Sequence, residues 1–154
     1  MLRCATLEDA PAILRVHMAS IRELGRKGYT SAQVEAWCGE RTAQSYTSPI
    51  TEQFMLVAEA QGQVVGFAQL DARQSTVVAV YVSPEFARQG IGSELLRGIE
   101  EHALSLGLSE LRLQSSLNAV PFYSGAGYTA GQLSQHVVGK GVSLPCLTMS
   151  RALR

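Results

Sequence analysis

Cysteine is scarce in this chain, and its distribution excludes two structural devices. The 154 residues include three cysteines, Cys4, Cys38 and Cys146. Their number is odd and they lie far apart, with neither a C-x-x-C pair nor a histidine spacing that would complete a zinc site. We therefore interpret them as reduced thiols, and we expect neither a disulfide framework nor a bound metal.

Long apolar runs are also missing. No run reaches the roughly 20 residues that a helix needs to cross a bilayer. The first residues, Met1–Cys4, lack the charged and apolar regions of a signal peptide. We expect a cytoplasmic protein with no membrane partner.

The sequence has no excess of either charge sign. Its 13 Lys and Arg residues balance 13 Asp and Glu residues, so the formal net charge is zero, which argues against nucleic acid as a partner. A hydrophobic content of 46% is typical of a soluble globular protein. Repeats, low-complexity tracts and linkers are absent, and the length predicts one domain that covers residues 1–154.

Hydrophobic periodicity predicts two helices before the first long strand. The segment Thr6–Asp9 resembles a capping box and should begin a helix whose inner stripe is Ile13, Val16 and Ser20. A second helix should follow, capped by Thr30 or Ser31. We interpret the polar segment 39–53 that comes next as a mobile loop.

Strands dominate the rest of the chain. The predicted elements are strands at 54–60, 64–71 and 76–82, a helix at about 91–106, a strand at about 110–115, a short helix at about 119–126, and strands near 128–135 and 143–150. In the long helix, the stripe from Ile91 through Leu95 and Ile99 to Leu106 should pack on the sheet. The sum is a mixed sheet with helices against it.

The segment 77–96 carries the most information. Its first residues are apolar and β-branched, Pro84 ends the strand, and helical spacing begins after Gly92. Gly90 and Gly92 let the backbone approach a ligand, and the unpaired N–H groups of the first helical turn point toward negative charge. A pyrophosphate fits this arrangement, because aligned peptide dipoles and free donors both favour anions.

Two common nucleotide motifs do not fit this segment. A Rossmann fingerprint needs a third glycine where this sequence has Leu95, and a Walker A loop needs a lysine after Gly92, where none follows. Like both motifs, this segment places glycines before a helix N-terminus, but its residue spacing matches neither of them.

The segment resembles motif A of the GNAT acyltransferase superfamily, whose pattern is Q/R-x-x-G-x-G/A. The first motif position falls on Ala87, and an arginine stands one place later, at Arg88. Because the family contacts pyrophosphate mainly through main-chain N–H groups, this departure costs less than the loss of a glycine. The resemblance implies acetyl-CoA as co-substrate, and no metal. The contacts it implies are Arg88, Gln89, Gly90, Ile91, Gly92 and Ser93.

A second block downstream strengthens the resemblance. The sequence from Asn118 to Tyr128 is similar to the family's N-A-x-x-F-Y-x-x-x-G-[FY] element. By resemblance, Tyr123 lies near the coenzyme sulfur as general acid and Asn118 contacts the coenzyme. Taken alone, Tyr123 is better interpreted as a core aromatic whose hydroxyl has a local partner, and the presence of both blocks reverses this preference. Phe122 and Tyr128 are interpreted as packing residues.

The resemblance also implies the fold. It predicts an α+β domain with a mixed, mostly antiparallel central sheet flanked by helices, in which the strand at 76–82 splays from the strand near 110–115. In the family the pantetheine arm lies in that opening and bonds to main chain, here of Val80, Tyr81 and Val82. A main-chain N–H there also polarises the thioester carbonyl and stabilises the oxyanion.

An acceptor amine must lose a proton before it attacks, because an aliphatic amine of pKa about 10.4 is mostly protonated at neutral pH. The candidate bases are Glu23, Asp71, Glu59 and His136, and sequence alone selects none of them. His136 lies in a polar, turn-rich connection at 134–141 and is interpreted as a surface residue of a hairpin. His17 and His102 are interpreted as ordinary helix residues.

The acceptor site should be formed by the first helices and the terminal hairpin, which vary within the family. Tyr29, Trp37 and Tyr46 are candidates to line it, with interhelical packing the alternative for Trp37. The leading hypothesis is an N-acetyltransferase in which a primary amine of a small molecule or peptide attacks acetyl-CoA directly. The alternatives are a non-catalytic CoA-binding sensor or scaffold and a dimerisation domain that binds no CoA. Homodimerisation is left open.

Overall fold

The computed structural model describes residues 1–139 and 141–154. Within these residues the chain forms seven strands and five α-helices: β1 (Leu2–Cys4), α1 (Ala10–Glu23), α2 (Ser31–Cys38), α3 (Thr47–Glu52), β2 (Phe54–Ala60), β3 (Gln63–Asp71), β4 (Thr76–Val82), α4 (Ile91–Ser105), β5 (Glu110–Ser116), α5 (Val120–Gly125), β6 (Thr129–Gly139) and β7 (Val142–Ala152). In the part of the chain that is described, no helix is both long and apolar enough to cross a membrane.

All seven strands belong to one sheet, in the order β1-β2-β3-β4-β5-β7-β6. Neighbouring strands run antiparallel. The exception is the parallel pair β4 and β5, which lies in the middle of the sheet. The predicted α+β fold with a mostly antiparallel sheet is confirmed.

Both faces of the central strands are covered, and successive residues of a strand point to opposite sides. Leu56 belongs to the cluster beneath α4, which also contains Leu95 and Ile99. Its neighbour Val57 belongs to the opposite cluster, with Ile13 of α1. The helices therefore hold the central strands from both sides.

A glycine outside the predicted motifs brings α4 close to the sheet. A Cβ atom at Gly98 would lie 2.6 Å from the Leu56 Cδ1 atom, closer than real contacts allow. Farther along α4, the buried Glu100 carboxylate accepts hydrogen bonds from the Tyr128 hydroxyl and from Arg151 Nη1, both at 2.9 Å. Tyr128 is thus a packing residue with one structural hydrogen bond, and α4 is fixed relative to β7.

The first helix begins where the sequence predicted, but its first turn has 3-10 geometry. The Thr6 N–H donates to Asp9 Oδ2 at 2.7 Å, as a capping box requires. The first turn, Leu7–Asp9, is a 3-10 turn, and α1 continues from it. Thr30 caps α2 by accepting from the Gln33 N–H at 3.1 Å.

Three sequence interpretations were wrong. Segment 39–53 is not an irregular loop, because it contains a 3-10 turn and α3. Its polar residues form local caps, in which the Ser45 hydroxyl accepts from the Thr42 N–H, and its Tyr46 side chain is buried. His136 lies within strand β6 and not in a connection, although it is exposed as expected, and Lys140 of the same predicted connection lies outside the described residues. Leu106 follows the end of α4 and is 52% exposed.

Candidate active site

The parallel strands β4 and β5 separate soon after they meet. Among the described residues they pair only at Thr76 and Arg112, near the start of β4. Beyond that pair the sheet is open, and two cavities of about 750 Å³ and about 490 Å³ meet at the opening. Trp37, Tyr81 and Gln114 line both cavities. The predicted splay is confirmed, and both cavities border it.

Main-chain groups of β4 face this opening. The Ser83 N–H donates to the Val65 carbonyl at 2.7 Å, and the register pairs Tyr81 with Phe67 two residues earlier. Because hydrogen bonds alternate along an antiparallel pair, the Tyr81 main chain bonds to β3, while the N–H and C=O of Val80 and Val82 point away from β3. Val80 and Val82 therefore offer backbone donors and acceptors to an extended ligand.

Ser20 connects α1 with this edge of β4. Its hydroxyl oxygen lies 2.9 Å from the Val82 carbonyl oxygen and 2.8 Å from the Val16 carbonyl oxygen. The single hydroxyl hydrogen can be donated to only one of these carbonyls at a time, so Val82 C=O shares this donor with Val16 C=O, while the Val82 N–H and both groups of Val80 remain toward the opening.

The loop between β4 and α4 has an unusual backbone. Arg88 has φ of 61° and Gly90 has φ of 84°, both in the left-handed region. The first bond of the helix joins the Glu94 N–H to the Gly90 carbonyl at 3.0 Å. Helix geometry consequently leaves the N–H groups of residues 91–93 without intrahelical acceptors, and Ser93 is exposed. Turns of this kind, followed by a helix N-terminus, are suited to anions.

The two motif glycines are needed for different reasons. A Cβ atom at Gly90 would meet nothing within 4 Å, so its requirement comes from the positive φ. A Cβ atom at Gly92 would lie 3.3 Å from Cε1 of the Phe122 ring. Gly92 therefore lets α4 pack against α5, and the interpretation of Phe122 as a packing residue agrees with this contact.

Tyr123 and Asn118 both line the smaller cavity, as does Arg88. The Tyr123 side chain is buried, at 8% exposure, and its hydroxyl makes no hydrogen bond to any described residue. Burial raises the pKa of this phenol well above its usual range, so it stays protonated at neutral pH. Asn118 is exposed, and its Oδ1 accepts from the Ser116 hydroxyl at 2.9 Å and from the Tyr29 hydroxyl at 3.4 Å.

Aromatic side chains and a buried histidine form one wall of the larger cavity. His17 contacts the rings of Phe67 and Tyr81 at centroid distances of 5.5 and 4.4 Å, and its Nδ1 lies 2.8 Å from the Tyr46 hydroxyl. Burial, aided by the nearby charge of Arg41, lowers the pKa of His17 to about 3, so the ring is neutral at pH 7. Burial also raises the pKa of Tyr46 and of Tyr81 to about 12 each.

Arg41 projects from the segment after α2 into the same cavity. Its Nη1 donates to the carbonyls of Trp37 and of Cys38, the latter at 3.0 Å. Neither Arg41 nor His17 was identified from the sequence. His17 had only the helical periodicity of its neighbours, and Arg41 lay in the segment interpreted as a loop.

The sequence model of the acetyltransferase (GNAT) domain matches residues 26–150. The chain belongs to the GNAT acetyltransferase family. This membership confirms the resemblance to the superfamily, whose fold indicates acyl-transfer chemistry. No curated protein matches the sequence significantly.

Solved structures of GNAT acetyltransferases share the fold over almost the whole chain. A GCN5-related N-acetyltransferase from Rhodopseudomonas palustris is 29% identical, with a TM-score of 0.92 over 99% of this chain and 94% of that one. The PaiA N-acetyltransferase of Thermoplasma acidophilum, in complex with coenzyme A, is 20% identical, with a TM-score of 0.83 and coverages of 99% and 98%. A phosphinothricin acetyltransferase of Sinorhizobium meliloti, in complex with acetyl-CoA, is 20% identical, with a TM-score of 0.77 and coverages of 99% and 87%.

The fold brings most of the predicted site residues of this GNAT domain to the opening. The smaller cavity is lined by Val80, Tyr81, Val82, Arg88, Asn118 and Tyr123. Gln89, Gly90, Ile91, Gly92 and Ser93 continue from Arg88 along the rim and into the first turn of α4. Their roles toward a coenzyme remain predictions.

The candidates for acceptor recognition and for the base are only partly brought together. Trp37 and Tyr46 line the larger cavity, whereas Tyr29 lines neither cavity and packs on the Trp37 ring at a centroid distance of 6.0 Å. His136 lines the larger cavity and Glu23 the smaller one.

Two of the four candidate bases lie away from the opening. Asp71 accepts from the N–H groups of Arg73 and Gln74 in the turn between β3 and β4, at 3.1 and 3.3 Å. Glu59 forms an ion pair with Arg3. Neither carboxylate lines either cavity, so the choice of a base narrows to Glu23, His136 or water.

Proposed function

We propose that this GNAT domain transfers an acetyl group from acetyl-CoA to a primary amine of a small molecule or peptide, by direct attack. The observation that carries the proposal is the opening between β4 and β5. On one side it adjoins the glycine loop at the start of α4, and on the other it leads to a separate cavity large enough for an acceptor. Because the two cavities meet at the opening, two substrates can approach each other there.

The coenzyme would follow the smaller cavity. Its pyrophosphate would accept hydrogen bonds from the N–H groups of residues 88–93, where the helix dipole also favours anions. Its pantetheine arm would bond to the free main-chain groups of Val80 and Val82, as an added strand does. Asn118 and the Tyr81 side chain would border the arm near the thioester.

Each step of transfer has a protein group suited to it. As the amine nitrogen bonds to the thioester carbon, a main-chain N–H of β4 stabilises the negative charge on the carbonyl oxygen. The C–S bond then breaks, and the thiolate, of ordinary pKa about 8.5, takes a proton or a hydrogen bond from the Tyr123 hydroxyl. Burial raises the pKa of Tyr123, so its O–H stays intact at neutral pH and is better suited to donating a hydrogen bond to the thiolate than to giving up its proton. The proton of the attacking amine leaves to water, Glu23 or His136.

The test is acetyl-CoA binding followed by turnover. Calorimetry with acetyl-CoA should give one site per chain, and a hundredfold excess over the dissociation constant should stabilise the fold by about 2.7 kcal/mol. Thiol release with a panel of primary amines should then identify acceptors. Tight binding with no turnover on any amine would favour the CoA-binding sensor, and an empty calorimetric trace would exclude both functions.

A further inference from the structure

The larger cavity has an unbalanced set of charges. The charged residues lining it are Arg41 and Arg112; the buried His17 is neutral, and among the described lining residues there is no Asp or Glu. Cations that enter such a cavity find no counter-charge in its wall, so their burial costs free energy that nothing in the wall offsets. An acceptor with only amine groups is therefore a poor match.

Arg41 is the cation that is directed at the cavity. Its Nη1 is bound to carbonyls of the last turn of α2, which fixes the guanidinium plane, and Nε and Nη2 make no hydrogen bond to a described residue. Its charge contributes to the lowered pKa of His17 and opposes the raised pKa of Tyr46 and Tyr81. The electrostatic influence of Arg41 thus reaches the aromatic wall.

Arg112 is differently placed. Its side chain is 62% exposed, its Nε lies 3.8 Å from Glu110, and its Nη2 donates to the Gln74 carbonyl at 3.2 Å. It lies at the closed end of the opening, where β4 and β5 pair. Its charge is partly balanced by its own neighbour, so Arg41 is the stronger candidate to bind a ligand anion.

The geometry points to an acceptor amine that also carries a carboxylate, an amino-acid-type acceptor. The carboxylate pairs with the free edge of Arg41, since a guanidinium offers two parallel donors that match a carboxylate. The body of the acceptor lies on the wall formed by Trp37, Tyr46 and Tyr81, and its amine reaches the opening. This inference rests on the proposed function and adds the substrate class.

A comparison of matched acceptors tests the inference. Acetylation of L-phenylalanine and of L-leucine is measured beside that of their decarboxylated counterparts, 2-phenylethylamine and isoamylamine, with putrescine as a third class. We expect kcat/KM at least tenfold higher for the acid-bearing member of each pair. Equal rates within the pairs, or preference for putrescine, would overturn the proposal.

Variants of Arg41 provide the second arm. Arg41→Gln should raise KM for L-phenylalanine about tenfold with little change in kcat. Arg41→Lys should restore part of the lost affinity, because lysine keeps the positive charge but lacks the two parallel donors of a guanidinium. Arg73→Gln is the control, since it removes the same charge from an exposed turn that lines neither cavity. An unchanged KM in folded Arg41→Gln, verified by its thermal melt, would contradict the role of Arg41.

Product binding separates failure of this inference from failure of the proposed function. N-acetyl-L-phenylalanine should bind the wild-type protein at least tenfold more tightly than N-acetyl-2-phenylethylamine by calorimetry, and Arg41→Gln should abolish the difference. This measurement needs neither acetyl-CoA nor turnover. Equal binding of both products would refute the inference even in an active enzyme, whereas absent acetyl-CoA binding with the product preference intact would refute only the proposed function.

Discussion

The two sides of the β4–β5 opening are built in different ways. The proposed coenzyme side uses main chain, from Val80 to the first turn of α4, and two side chains from one short block. The acceptor side uses side chains from α1, α2, the segment between α2 and α3, and strands β3 to β7. A site made of backbone groups needs glycines and a fixed spacing, and these remain visible in a sequence. A site made of separated side chains has no such signature.

The two sides also differ in their ionisable groups. The acceptor side buries His17 as a neutral ring in contact with Tyr46, and it has Arg41 as a charge near the aromatic wall. The proposed coenzyme side relies on peptide dipoles, which no change of pH removes. Changes to the first side should alter pH dependence and acceptor choice, whereas changes to the second should alter coenzyme affinity and rate.

The largest effect should come from Gly92→Glu. The new side chain would collide with the Phe122 ring and place a negative charge beside the proposed pyrophosphate. We expect the acetyl-CoA dissociation constant to rise more than a hundredfold, and Gly90→Glu to act similarly through charge and an unfavourable φ. Ser93→Ala is the control, because it keeps its N–H and should change affinity only a few-fold. Calorimetry decides, and micromolar affinity in either folded glutamate variant would refute the anion site.

A smaller effect, on rate and not on affinity, should follow from Tyr123→Phe. Loss of a general acid typically lowers rates by about 10²–10⁴-fold. We expect kcat to fall about a hundredfold with the KM for acetyl-CoA nearly unchanged, because the ring and its packing remain. Tyr128→Phe removes a phenol that bonds to Glu100, away from the opening, and serves as comparison. An unchanged kcat in Tyr123→Phe would mean that Tyr123 only packs in the core and does not act in catalysis.

The smallest effect should be a loss of folding stability at acid pH. The pKa of His17 is about 3 when folded and about 6.5 when unfolded. Its contribution is therefore fully present above pH 6.5 and is lost as pH falls toward 3, because only the unfolded chain takes up the proton. We expect a loss of about 2 kcal/mol between pH 6.5 and 5.

His17→Gln should flatten this slope while leaving a hydrogen-bond partner for Tyr46. Urea unfolding at the two pH values measures the difference. Asp9 does not interfere, because its hydrogen bonds with Arg3 lower its pKa and place its own loss of stability below the usual aspartate range. An identical slope in wild type and variant would mean that folding does not lower the pKa of His17.

Much of the fold was predictable from local signals. Strands β2 and β4 have the bounds that their apolar runs predicted, and Thr30 caps α2 as its residue type suggested. Segment 39–53 was not predictable, because short helices capped by Ser and Thr have the same composition as loops. What orders it is Tyr46, which is buried against α1 and bonded to His17.

By itself the sequence determined the glycine loop, the helix that follows it and the Tyr123 block, because each depends on neighbouring residues and on backbone conformation. Only the tertiary structure decided that His17, Trp37, Arg41 and Tyr81 share one cavity, and that this cavity meets the smaller one at the splay. Those contacts join residues up to 64 positions apart, and packing of helices on both faces of the sheet creates them. Local patterns cannot encode such distances, so the acceptor side became visible only in the folded chain.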